Sequence, residues 1–69
     1  MKKGDILLCV DSTGPGLTVG DLHIALKMNG YYDVDTDQGG CWSTDRFISL
    51  NDIFEKEYIT LVKKRMGTN

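Results

Sequence analysis

The 69-residue chain holds one proline, two cysteines and one histidine, and no apolar run near membrane-spanning length. Each shortage excludes something. Two cysteines, Cys9 and Cys41, are too few for a disulfide scaffold, and neither belongs to a Cys-x-x-Cys pair that would suit zinc. They are expected to be free thiols in or near the core. A spanning helix needs about 20 consecutive apolar residues, and Met1-Lys2-Lys3 runs into Gly4-Asp5, not into a signal-peptide hydrophobic region. The expected compartment is the cytoplasm. His23 stands without a second base, a nucleophile in a recognisable setting or an oxyanion motif, so no catalytic centre is expected. No cofactor is implied.

Positive charge is scarce except at one end. All ten acidic residues lie between Asp5 and Glu57, and three of the eight basic ones are Lys63-Lys64-Arg65. Residues 1–62 therefore carry ten negative and five positive charges, a net of −5. An acidic body repels phosphate backbones, which argues against a general nucleic-acid binder. What is present is ordinary for a globular chain: 41% hydrophobic and 26% charged residues. Residues 1–69 fit one small domain with a modest core.

Residues 5–11 form a short apolar run bounded by acids, which suits a strand covered on both faces. Ser12-Thr13-Gly14-Pro15-Gly16 follows as an exposed loop. In Asp21–Met28, Leu22, Ile24, Leu26 and Met28 alternate with His23, Ala25 and Lys27. Period two predicts a half-buried strand. Tyr32, Val34 and Thr36 alternate with Asp33, Asp35 and Asp37 in the same way. A two-residue Asn29-Gly30 loop would set Leu26 opposite Asp33 and turn acids into the core. A three-residue loop, Asn29-Gly30-Tyr31, instead sets Met28, Leu26 and Ile24 against Tyr32, Val34 and Thr36 inside. Outside, Lys27 then meets Asp33 and His23 meets Asp37. Gly30 is expected in a left-handed conformation. Gln38-Gly39-Gly40 makes the next turn, Cys41–Ser43 the next strand, Ser43–Arg46 a tight turn and Phe47–Leu50 a closing strand. Tyr32 and Phe47 are expected in the core.

The end of the chain reads as a helix over residues 52–65. Asp52 and Glu55 have capping-box spacing, and Lys63, Lys64 and Arg65 suit the negative end of the helix dipole. Phe54, Tyr58, Leu61 and Val62 make an amphipathic stripe, expected to cover the barrel or, alternatively, to form a homodimer. The competing reading is a strand over residues 57–63, on the β-propensity of Tyr58–Val62.

Lys3-Gly4-Asp5, Leu17-Thr18-Val19-Gly20, Tyr32-x-Val34, Asp37-Gln38-Gly39-Gly40, Trp42 and Arg46-Phe47 follow one another in an order that resembles small bacteriophage and prophage proteins thought to form Src-homology-3-like (SH3-like) barrels. The resemblance covers residues 3–50. His23 departs from it, standing where an aromatic is common, and the extension after residue 50 lies outside it. It implies a mainly β fold, a small five-stranded antiparallel SH3-like barrel, here with a C-terminal helix. It also implies a viral protein that binds and inhibits a host protein.

The candidate protein-binding residues are Tyr31 at the hairpin tip, Asp33, Asp35 and Asp37 on the acidic strand face, Lys27 and His23 across from them, and Trp42. Exposed aromatics ringed by charge are common interface anchors; a solvated strand face is the plainer reading of the acids. Trp42 fits a binding cleft and a core equally. Asp33-x-Asp35-x-Asp37 has the spacing of a calcium loop's first ligands. Gln38 then stands where that loop needs glycine and Thr44 where it needs glutamate, so no metal is expected. The alternative function is a nucleic-acid-associated barrel using Lys63, Lys64 and Arg65.

Overall fold

The computed structural model describes residues 1–13 and 16–67. Gly14 and Pro15 of the expected loop lie outside the described residues. The chain forms β1 (Ile6–Cys9), β2 (Leu22–Asn29), β3 (Asp33–Thr36), β4 (Cys41–Ser43) and β5 (Phe47–Ser49), then α1 (Lys56–Arg65). Short 3-10 turns at Thr44–Arg46 and Leu50–Asp52 flank β5. The strands pair antiparallel in one sheet of order β4-β3-β2-β1-β5. The sheet is open: β4 and β5 are its two edges among the described residues. No helix among the described residues is long and apolar enough to cross a membrane.

β2 is the corner of the molecule. Its first residues pair with β1, Leu22 with Leu8 and Ile24 with Ile6. Its later ones pair with β3, Lys27 with Asp35 and Asn29 with Asp33. Between Ala25 and Lys27 the register shifts, so Ala25 meets Thr36 while Leu26 is an extra residue. Such a bulge bends a strand and strengthens its twist. It lets Ala25 and Met28, three apart in sequence, pack into the same core, which a regular strand would forbid. That core draws Leu7 and Cys9 from β1, Ala25 from β2, Val34 from β3, Phe47 from β5 and Leu17 from the loop, with Trp42 packed against it.

The bulge also corrects the expected register. The hairpin loop has three residues, but they are Gly30-Tyr31-Tyr32, because Asn29 pairs with Asp33. Gly30 has φ +80°, the left-handed region expected of it. Tyr32 is therefore in the loop and exposed, not in the core. Before the bulge the strand is one residue out of the expected pairing, and a one-residue slip exchanges faces. His23 faces inward and is buried, while Leu22 and Ile24 face the opposite side. Leu26, expected inside, is exposed.

The second face of β1 and β2 is covered by the C-terminal segment. Ile6, Leu50 and Ile59 are buried there, with Leu8, Leu22, Ile24, Val62 and Met66 packed on them. Fully burying an aliphatic side chain of this size stabilises by about 1.5–3 kcal/mol. The helix reading therefore holds over residues 57–63, but α1 begins at Lys56, not at residue 52. Glu55 is its N-cap, in extended conformation and without a side-chain cap bond. Asp52 belongs to the preceding 3-10 turn, so no capping box forms. The covering stripe is Ile59, Val62 and Met66; Phe54, Tyr58 and Leu61 are exposed. Phe54 precedes the helix, so its spacing to Tyr58 and Leu61 does not follow the buried face of α1.

Candidate functional site

The β2–β3 tip carries two adjacent tyrosines in water. Tyr31 is 91% and Tyr32 78% exposed. Their ring centroids are 6.5 Å apart in an edge-on arrangement. Thr44 holds the tip in place from the 3-10 turn before β5. Its N–H donates to the Tyr32 carbonyl at 2.7 Å and its hydroxyl to the Tyr31 carbonyl at 3.4 Å. Below the tip opens a cleft of about 710 Å³, lined among others by Met28, Tyr31, Tyr32, Asp45, Phe47 and Asp52. The acids come from the two 3-10 turns, and the apolar floor from β2 and β5. No lysine or arginine lines the cleft among the described residues.

Of the expected acidic strand face, Asp33 and Asp37 are exposed and Asp35 is half-buried. Lys27 is exposed too. Lys27 pairs with Asp35, not with Asp33. Asp35 accepts from Asn29 Nδ2 at 2.9 Å. Asn29 Nδ2 also donates to Cys41 Sγ at 3.4 Å; the Asp35 carboxylate first and desolvation second raise the Cys41 pKa, against the lowering effect of Asn29. A thiol so placed stays protonated and is a poor nucleophile at neutral pH. Asp37 is structural: its Oδ1 accepts the Ile24 N–H at 2.7 Å, while its own N–H donates to the Ile24 carbonyl at 3.0 Å. Asp33, Asp35 and Asp37 are thus engaged in different ways, and among the described residues they form no metal-holding group.

His23 leaves the candidate surface altogether. It is 1% exposed, its Nδ1 lies 2.8 Å from Thr36 Oγ1, and its ring meets Phe47 edge-on at 5.1 Å. Desolvation holds its pKa below the ordinary value, outweighing the opposing charges of Asp37 and Asp21. Trp42 is half-buried, neither fully core nor free. Its indole lies over the Gly39-Gly40 turn and against Gly16, and Nε1 donates to the Gly39 carbonyl at 3.0 Å. Cys9 is buried and Cys41 exposed, both free thiols. Lys63, Lys64 and Arg65 form the last turn of α1 and do not line the cleft.

Of the cleft lining, only Tyr31 was a candidate site residue from sequence; Tyr32, Thr44, Asp45 and Asp52 are among those that sequence reasoning missed, as are Met1 and Ser49. The tandem Tyr31-Tyr32 was a signal for Tyr32. The two aspartates sit in separate turns and are joined only by the path of the chain around β5.

The fold and cleft define a small β-rich domain with a C-terminal helix and an aromatic, acid-lined surface groove. No family model matches the chain, and neither does any curated protein or solved structure.

Proposed function

We propose that the protein is a non-enzymatic binding module that docks a basic segment of a partner protein in the cleft beneath Tyr31 and Tyr32. The observation that carries this reading is the pair of neighbouring tyrosines, 91% and 78% exposed, at the rim of an open cleft. Water contact on two large rings is unfavourable unless something covers them, and tyrosine is enriched among interface hot spots. Asp45 and Asp52 in the lining, with Asp33 beside the tip, favour a cationic side chain. An arginine stacked on a tyrosine and paired with a carboxylate meets both features.

The bent β2, the antiparallel strand order and the 3-10 turn before β5 support an SH3-like arrangement as the finer description of the fold. On that resemblance the protein is a phage factor acting in the host cytoplasm, where it binds and inhibits or redirects a host protein.

The test is capture from nuclease-treated bacterial lysate by the wild type and by a Tyr31→Ala/Tyr32→Ala variant. It is paired with an NMR titration using an arginine-containing peptide and its glutamate counterpart. A stoichiometric protein lost with the variant, and arginine-peptide shifts centred on Tyr31, Tyr32, Thr44 and Asp45, support the reading. Salt-sensitive nucleic-acid binding, removed by neutralising Lys63, Lys64 and Arg65, would replace it with the nucleic-acid alternative.

A further inference from the structure

One face of α1 is turned away from the core among the described residues. Tyr58 and Leu61 lie on it, 60% and 49% exposed. Phe54 extends it past the N-cap, its ring 6.4 Å from that of Tyr58. Phe54, Tyr58 and Val62 line an apolar hollow of about 250 Å³. Single exposed apolar residues are ordinary on a small protein, whereas contiguous ones mark docking surfaces.

The charges beside this stripe are ordered. Glu57 stands in the first turn of α1, and Lys64 and Arg65 in the last. All three are exposed. Glu57 and Lys64 are separated by two turns, so they lie on one flank of the stripe, acid at one end and base at the other. Two such helices packed parallel would hold the two Glu57–Lys64 flanks on opposite sides of the seam, where these charges do not meet. Packed antiparallel about a two-fold axis, they set each Glu57 against Lys64 of the other copy and Tyr58 against Leu61. Arg65 then falls toward the Phe54 ring of the other copy. The helix dipoles also oppose one another in this arrangement.

We infer that the Tyr58–Leu61 stripe of α1 docks a second copy of this chain, antiparallel and two-fold symmetric. The inference does not depend on the cleft. A helix of ten residues is about 15 Å long, so the interface falls below the roughly 1,200 Å² of stable complexes. The expected association is therefore weak, reversible and concentration-dependent.

Sedimentation equilibrium from about 10 µM to 1 mM tests this on four samples: wild type, Glu57→Lys, Lys64→Glu, and the two variants mixed in equal amounts. The wild type is expected to dimerise reversibly, each variant alone to associate about tenfold more weakly, and the mixture to recover. Recovery follows because both charge pairs are restored in the heterodimer. A wild type that stays monomeric to the top concentration, a dimer indifferent to both reversals, or a mixture that fails to recover would each overturn the inference.

Discussion

His23 and Thr36 meet inside the core, Nδ1 to Oγ1 at 2.8 Å, and the other imidazole nitrogen has no hydrogen-bond partner. Protonating the ring would place a charge, and a second N–H needing an acceptor, among Leu7, Phe47 and their neighbours. The folded state therefore binds the proton less readily than the unfolded one, whose imidazole titrates near 6.5. Stability is fully present above that value and falls as the pH drops below it. Denaturant titrations between pH 8 and 5 should show this loss, with a slope no steeper than about 1.4 kcal/mol per pH unit. His23→Leu should abolish the slope. A slope that persists in the variant assigns the effect elsewhere.

Gly40 is the second sensitive point. Its φ is +80°, and a Cβ there would sit 2.7 Å from Trp42 Cζ2. Gly40→Ala should cost about 1–3 kcal/mol through strain and displacement of the indole. Thermal melts and a shift of tryptophan emission report both parts. Gly20, with φ +96° but open space around it, should show the strain alone when changed to alanine.

Two apolar residues of α1 should separate cleanly. Ile59 is buried against Ile6 and Leu50, whereas Leu61 is exposed. Ile59→Ala should destabilise the monomer by about 2–3 kcal/mol. Leu61→Ala should stay within about 0.5 kcal/mol. Equal losses by urea denaturation at low protein concentration would contradict the packing.

Asn51 ties the turn before α1 to the first strand: its Oδ1 accepts the Ile6 N–H at 2.8 Å. Ile6 is fully buried, so water cannot readily replace the acceptor. Asn51→Ala should cost about 1–3 kcal/mol, and amide exchange at Ile6 should accelerate more than at Val34. Unchanged protection at Ile6 would show that another acceptor takes over.

Tyr31→Ala and Tyr32→Ala should leave stability within about 0.5 kcal/mol, since neither ring contributes to the core. They should remove binding to a basic partner segment. A loss of folding in either variant would mean that the tip is structural.

The turns were legible because each rests on local chemistry. Gly30, Gly39 and Gly40 all take positive φ, and the sequence around them allows little else. Val34 and Thr36 were legible as core from alternation alone. β2 was not. Leu22, Ile24, Leu26 and Met28 read as one face. Yet the first two pack toward α1, Leu26 is the bulged residue, and Met28 returns to the core. An inserted residue leaves the alternation intact on each side of itself while exchanging the faces, so period-two counting cannot detect it. The candidate surface was half legible. Tyr31 and Asp33 stand where expected, but Asp45 and Asp52 reach the cleft through tertiary folding.

The strand order bears on how the chain is completed during synthesis. β1 is made first, and its neighbours in the sheet are β2 and β5. Leu7 pairs with Ser49 and Cys9 with Phe47, contacts that close loops of about forty residues. Until Phe47–Ser49 has left the ribosome, Ile6–Cys9 holds an open edge beside a bare apolar face. The sticky segment comes first and its cover last, so a nascent chain stalled before β5 is the form most exposed to aggregation and to chaperones.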